Sequence, residues 1–104
     1  MRFIVKGSAI NGLPTPPEVV LAAYEASFEI FASKKDPRIV EALPHADERA
    51  TTLIVEASTG EELSDVLSSL PGFWFSTWES HPIQDADNVL KLLRTTLTQM
   101  RPQN

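Results

Sequence analysis

His45 is the only histidine of this chain flanked by polar neighbours, in the stretch Pro44-His-Ala-Asp-Glu48. Imidazole titrates closer to neutrality than any other unperturbed side chain, so His45 could move a proton as general base or acid. A solvent-exposed loop histidine is the competing reading. Tyr24 falls on the apolar side of a helical segment. Its hydroxyl could polarise a substrate oxygen, or equally bond a backbone carbonyl. Trp74 and Trp78 could stack on a planar conjugated ligand, with aromatic core or interface packing as the alternative. Lys6 and Glu56 stand on strands beside Ile4 and Ile54. An apolar surface bearing a few charges has the make-up of a small-molecule pocket, although an ion pair across strands accounts for both residues as well. Glu25 and Glu29, four apart on a helix, could raise each other's pKa as an acid/base pair, or simply belong to a solvated stripe with Glu18. His81 precedes a proline at a strand end and reads as a strand-end or interface residue.

Several chemistries are excluded by what is missing. The 104 residues contain no cysteine, so there are no disulfides, thiolate metal sites or cysteine nucleophile. Two isolated histidines, His45 and His81, give no ligand cluster, and no metal is expected. There is no glycine-rich phosphate loop, no serine nucleophile elbow and no dinucleotide fingerprint. Any catalysis is expected to run without metal or organic cofactor, by positioning and proton transfer, or by oxygen chemistry on a substrate that activates itself. Nine basic against fourteen acidic side chains give a net charge of −5, and no basic run exceeds Lys34-Lys35. That disfavours nucleic acid as a partner. Lys6 interrupts the opening apolar run, which therefore does not read as a secretory signal, and no stretch approaches a membrane span. A cytoplasmic protein that does not engage membranes is expected.

The elements that must position these residues are legible. Arg2–Ile10 alternates as a half-buried strand, with Phe3 and Val5 facing one way and Ile4, Lys6 and Ser8 the other. Thr15-Pro-Pro-Glu18 reads as a capping box: Thr15 caps, Pro16 takes the first helical position, and Glu18 reaches back. The helix should bury Val20, Ala23, Tyr24, Ser27 and Phe31 on one face and end near Lys34-Lys35, ahead of Asp36-Pro37. Arg38–Leu43 and Ala50–Ala57 read as a hairpin of two strands. Ser58 or Thr59 caps a second helix, with Leu63, Val66, Leu67 and Leu70 at the spacing of one buried stripe. Phe73–His81 reads as the fourth strand, placing Trp74, Ser76 and Trp78 on one face. A third helix over about 85–101, capped by Asp85 or Asp87, carries Val89, Leu90, Leu93, Leu97 and Met100.

The order β-α-β-β-α-β plus a helix predicts one α+β domain spanning 1–104. Its core is a ferredoxin-like unit over 1–83, with a four-stranded antiparallel sheet and both helices on one face. That arrangement leaves the second sheet face uncovered, yet neither side of the strands is uniformly polar. At about 25 cal/mol per Å², one exposed aromatic and two exposed isoleucines would forgo several kcal/mol. A second copy in a symmetric dimer is the expected cover. The alternative is a monomer whose third helix folds over the open face.

Leu53-Ile-Val-Glu-Ala-Ser58, Glu61-Glu-Leu63 and Leu70-Pro-Gly-Phe73 together resemble the muconolactone isomerase-like family, as do the opening Met1–Val5 and the strand ending at Glu79-Ser-His-Pro-Ile83. The resemblance covers residues 1–83 in element order and about 50–83 in motif. It implies a dimeric α+β barrel, two ferredoxin-like sheets face to face and sometimes assembled into larger rings. It also implies a cofactor-free shift of a double bond in a small unsaturated lactone carboxylate. At the second strand and its loop the family is rich in Trp, Arg, Gly and Tyr, whereas this chain reads Arg38-Ile-Val-Glu-Ala-Leu-Pro-His-Ala-Asp-Glu48, so no catalytic residue transfers position by position. The resulting expectation is a small isomerase-like homodimer, or a higher ring, acting on an unsaturated or aromatic metabolite. In it His45 is the base, Tyr24 polarises a carbonyl, and Trp74 and Trp78 hold the ring. A non-catalytic dimeric binding module and a cofactor-free monooxygenase on the same barrel are the alternatives.

Overall fold

The structure is a computed structural model and describes residues 1–101. Its strands are β1 (Arg2–Ala9), β2 (Ile39–Pro44), β3 (Ala50–Glu56) and β4 (Ser76–Ile83). Its helices are α1 (Pro17–Ser33), α2 (Gly60–Ser68) and α3 (Ala86–Met100), with a single 3₁₀ turn at Phe73–Phe75. The sheet order is β2-β3-β1-β4 and every neighbouring pair is antiparallel. This is the ferredoxin-like α+β arrangement. Each helical crossover joins two parallel strands and leaves a gap between them, and the other unit's strand fills it.

Alternation decides which strand residues go under the helices. Phe3, Val5, Leu53 and Val55 are buried, and with Ile39 they meet the α2 stripe Leu63, Val66, Leu67 and Leu70. The partner α2 takes its start from a reciprocal cap at Thr59. The Glu62 amide donates to Thr59 Oγ1 at 3.1 Å, and the Ser58 amide donates to Glu62 Oε2 at 2.8 Å. Those carboxylate contacts hold the Glu62 pKa below its ordinary value, through the Ser58 amide first of all.

Three expectations need correction. Helix α1 starts one residue late: Pro16 is the N-cap, and no side chain caps the helix, because a proline ring offers no acceptor to the first helical amides. The fourth strand starts at Ser76, since Pro71-Gly72 feeds a 3₁₀ turn rather than a strand. Trp74 and Trp78 consequently do not share a strand face. Trp78 packs toward the helices, stacked on Phe73 with centroids 6.0 Å apart.

The open face carries Ile4, Lys6, Leu43, Thr52, Ile54, Glu79 and Ile83, a mixed rather than polar surface. Helix α3 does not cover it. Every residue from Ala86 to Arg101 is exposed, and the molecule measures 71 Å along its long axis against 27 and 24 Å across. The monomer whose third helix folds back is therefore not the structure seen. Among the described residues no helix is long and apolar enough to cross a membrane.

Candidate functional site

A cavity of about 320 Å³ opens between α1 and the sheet, at the end of the molecule where the β2–β3 turn lies. Its walls are Trp78 and Gly7 on the sheet side and Leu21, Tyr24, Phe28 and Phe31 on α1. His45, Glu48 and Arg49 stand at its polar rim. This is the usual composition of a small-ligand site, apolar walls with a few polar groups at one end.

Backbone geometry makes the floor possible. The Trp78 ring lies across Gly7, the residue opposite it on β1. A Cβ built on Gly7 would stand 2.6 Å from Trp78 Cζ3, so only glycine lets the indole lie flat there. The indole is fixed by its Nε1–H, which donates to the Phe73 carbonyl at 3.1 Å. Gly72 plays the same part below α1. A Cβ there would meet the Tyr24 ring at 2.8 Å, and its amide donates to the buried Ser27 hydroxyl at 2.9 Å.

His45 sits in the loop after β2 with both ring nitrogens occupied. Nδ1 lies 2.9 Å from Glu48 Oε1 and Nε2 lies 2.6 Å from Thr52 Oγ1. A carboxylate only accepts, so Nδ1 carries the proton and Nε2 of the neutral ring accepts from the Thr52 hydroxyl. Thr52 belongs to the open side of the sheet, so His45 bridges the cavity rim and that open face. Lys6 joins the same cluster, its Nζ 2.7 Å from Glu48 Oε1. The Lys6 ammonium and then the His45 ring hold the Glu48 pKa below its ordinary value, and Glu48 in turn raises that of Lys6. His45, Asp47 and Glu48 could offer a cation one imidazole nitrogen and two carboxylate oxygens within 4.8 Å of one another. Lys6 already supplies the positive charge at Glu48, which works against a metal there.

The candidates read from the sequence divide as follows. Tyr24 and Trp78 line the cavity, and His45 stands at its rim. Tyr24 donates its single hydroxyl proton to the Phe75 carbonyl, so it ties α1 to the 3₁₀ turn ahead of β4 rather than offering a donor to a ligand. Trp74 lies outside the cavity, 78% exposed, its ring edge-on to Phe73. Lys6 and Glu56 both lie on the open face but do not pair with each other. Glu56 binds Arg2, its register partner, at 3.1 Å, and the N-terminal amine at 3.3 Å. Glu25 and Glu29 are exposed on α1, and His81 pairs with Glu79 at 3.1 Å on the outer strand.

Sequence reasoning missed Gly7, Gly72, Glu48 and Thr52 as builders of the site. A lone glycine inside a strand pattern was the available signal for Gly7, because such glycines mark close approach of another group. No local pattern announces that Thr52, seven residues away, meets His45.

The fold and cavity together define a ferredoxin-like α+β protein with a ligand-sized pocket beneath its first helix. No family model matches the sequence, and no curated protein matches it. Among solved structures the chain is similar to the one described as the crystal structure of muconolactone isomerase at 3.3 Å resolution, with a TM-score of 0.69 and 19% identity. The alignment covers 82% of this chain and 90% of that one. The likeness is one of fold.

Proposed function

We propose that this chain is a small isomerase-like enzyme that takes a compact unsaturated or aromatic metabolite into the cavity beneath α1. It moves a proton with His45 and uses no metal or organic cofactor. The observation that carries the reading is the cavity itself: aromatic walls over Trp78, with an imidazole oriented by a carboxylate at the rim. Glu48 keeps the His45 proton on Nδ1, which leaves the Nε2 lone pair as the base. The Thr52 hydroxyl, on the open side of the sheet, donates to that lone pair. The His45 ring turns from Thr52 toward the cavity when the substrate arrives. His45 then takes a proton from one carbon of the substrate, the imidazolium exchanges it with water, the double bond shifts, and a proton from the imidazolium is delivered to another carbon. The imidazole ends neutral, as it began.

The working unit in this reading is a homodimer in the cytoplasm, with the mixed open faces of two sheets covering each other. Ile4, Leu43, Ile54 and Ile83 support that pairing, since water is a poor neighbour for such a face. A ligand-binding module without catalysis is the second reading. It is favoured by one observation: the Tyr24 proton and both His45 nitrogens already have protein partners.

The test is a binding screen with unsaturated lactones, phenols and small carboxylates in a Trp74→Phe background, where Trp78 alone reports. A ligand of the cavity changes Trp78 emission and stabilises the fold, by about 2.7 kcal/mol at a hundredfold excess over Kd. Ligands that stabilise the protein while leaving Trp78 emission untouched would place the site elsewhere.

A further inference from the structure

Helix α3 presents an apolar stripe to water. Val89, Leu90, Leu93, Leu97 and Met100 recur at three- and four-residue spacing on one side and are 36–76% exposed. At 100° per residue, Arg94 and Arg101 follow one border of that stripe, with Lys91 behind them. Soluble proteins seldom leave so long an apolar strip bare without a partner for it.

A matching surface exists on α1. Leu21, Phe28 and Ala32 form an apolar row, and Phe28 and Ala32 continue across a groove to Val40 on β2. Leu21, Phe28 and Val40 are 59%, 40% and 43% exposed. Glu18, Glu25 and Glu29 run beside the row, and none has an ion-pair partner among the described residues. The charges complement each other over the whole chain as well. Residues 1–85 hold six basic and thirteen acidic side chains, net −7, while 86–101 hold three and one, net +2.

The helix is not seated in its own chain's groove, where Phe28 and Val40 stay exposed, and it cannot begin there and lie lengthwise along it. The groove lies at the β2 edge and α3 leaves from β4, the opposite edge. Three strand spacings separate those edges, about 14 Å, whereas the connector Gln84-Asp85 spans about 7 Å.

We propose that α3 is an exchanged arm, seated along the Phe28–Val40 groove of a second copy of this chain, with Arg94 and Arg101 against Glu25 and Glu29. Each copy gives one arm and receives one. Leu21 and Phe28 also wall the cavity, so the received arm closes its open side. A cationic amphipathic helix can also lie on a membrane. With only three cations beside a body of net −7, an anionic bilayer repels most of the molecule that α3 would anchor. The arm goes beyond the sheet pairing proposed above, and the two can fail separately.

The chain has no cysteine, so Thr95→Cys on the polar side of α3 accepts a single nitroxide. Mixing that chain with a ¹⁵N-labelled, unmodified one reads contacts between copies only. Broadening at the Glu25, Phe28 and Val40 amides is expected. The pair Arg94→Glu and Arg101→Glu should weaken self-association at least tenfold, and Glu25→Lys with Glu29→Lys added in the same chain should restore it. Broadening confined to α3 amides, or a dimer that persists with no broadening at α1, would overturn the arm while leaving the paired sheets standing. Capture of the wild-type chain by phosphatidylserine vesicles, with no broadening between copies in solution, would overturn it in favour of a lipid surface.

Discussion

Gly7→Ala is the sharpest single perturbation of the cavity floor. The new methyl would lie 2.6 Å from Trp78 Cζ3, where ordinary contact is 3.4–4 Å, so the indole must retreat by about 1 Å. It is not free to do so, being stacked on Phe73 and hydrogen-bonded to the Phe73 carbonyl. Overpacking of this kind costs about 1–3 kcal/mol, and losing the indole bond adds about 1 kcal/mol. Replacing a strand glycine by alanine returns about 0.5–1 kcal/mol of conformational entropy. The net expectation is a loss of about 2 kcal/mol, a fall in Tm of roughly 8–16 °C for a domain of this size. Gly60→Ala is the internal control. It starts α2, and a Cβ there meets nothing within 4 Å, so that variant should gain about 0.4–1 kcal/mol. Thermal melts followed by circular dichroism read both, with Trp78 emission reporting the floor. A Gly7→Ala chain as stable as the parent, with unchanged Trp78 emission, would refute the account of the cavity floor.

Two further outcomes follow from local geometry. Asp36 is bonded by the Arg38 guanidinium at 3.0 and 2.9 Å, and chiefly for that reason its carboxyl titrates below its ordinary value. A depressed folded-state pKa gives stability that is present above the unfolded value near 4 and is lost as pH falls through the folded one. Glu48 and Glu62 add to the same limb. Urea melts should therefore show stability falling below about pH 4–5, with a shallower slope in Asp36→Asn. Lys34 ends α1 in the left-handed region, φ 54°, where its amide bonds the Ile30 and Phe31 carbonyls. Lys34→Gly removes the Cβ strain there and should raise stability by up to about 1 kcal/mol in the same melts.

The two patterns with a strong period carried the fold. Leu63, Val66, Leu67 and Leu70 are all buried as their spacing requires, and the Phe3/Val5 and Leu53/Val55 alternation decided which sheet face goes under the helices. What stayed illegible is non-local or depends on turn chemistry. Pro71-Gly72 reads as a stop, but nothing in it shows that Phe73–Phe75 coils into a 3₁₀ turn and swings Trp74 out while Trp78 turns in. For the site, residue type suggested His45, Tyr24 and Trp78. Their partners Glu48, Thr52 and Phe75 are set by the way the β2–β3 turn and the 3₁₀ turn come to lie against α1 and β3. Lys6 and Glu56 share a face as alternation predicts, yet register gives each a different partner, because Glu56 stands opposite Arg2. Tyr24 shows how a sequence alternative is decided by tertiary contact, with its hydroxyl on a backbone carbonyl.

The central claim is that His45 Nε2 moves a proton for a ligand held over Trp78. Its most direct test is deuterium incorporation from D₂O into an unsaturated lactone that the binding screen retains, followed by NMR for the parent chain and for His45→Gln. General acid–base catalysis contributes about 10²–10⁴-fold, so the variant should bind with a similar Kd and exchange at least 100 times more slowly. Exchange by His45→Gln at the parent rate, with the ligand still over Trp78, would contradict the claim.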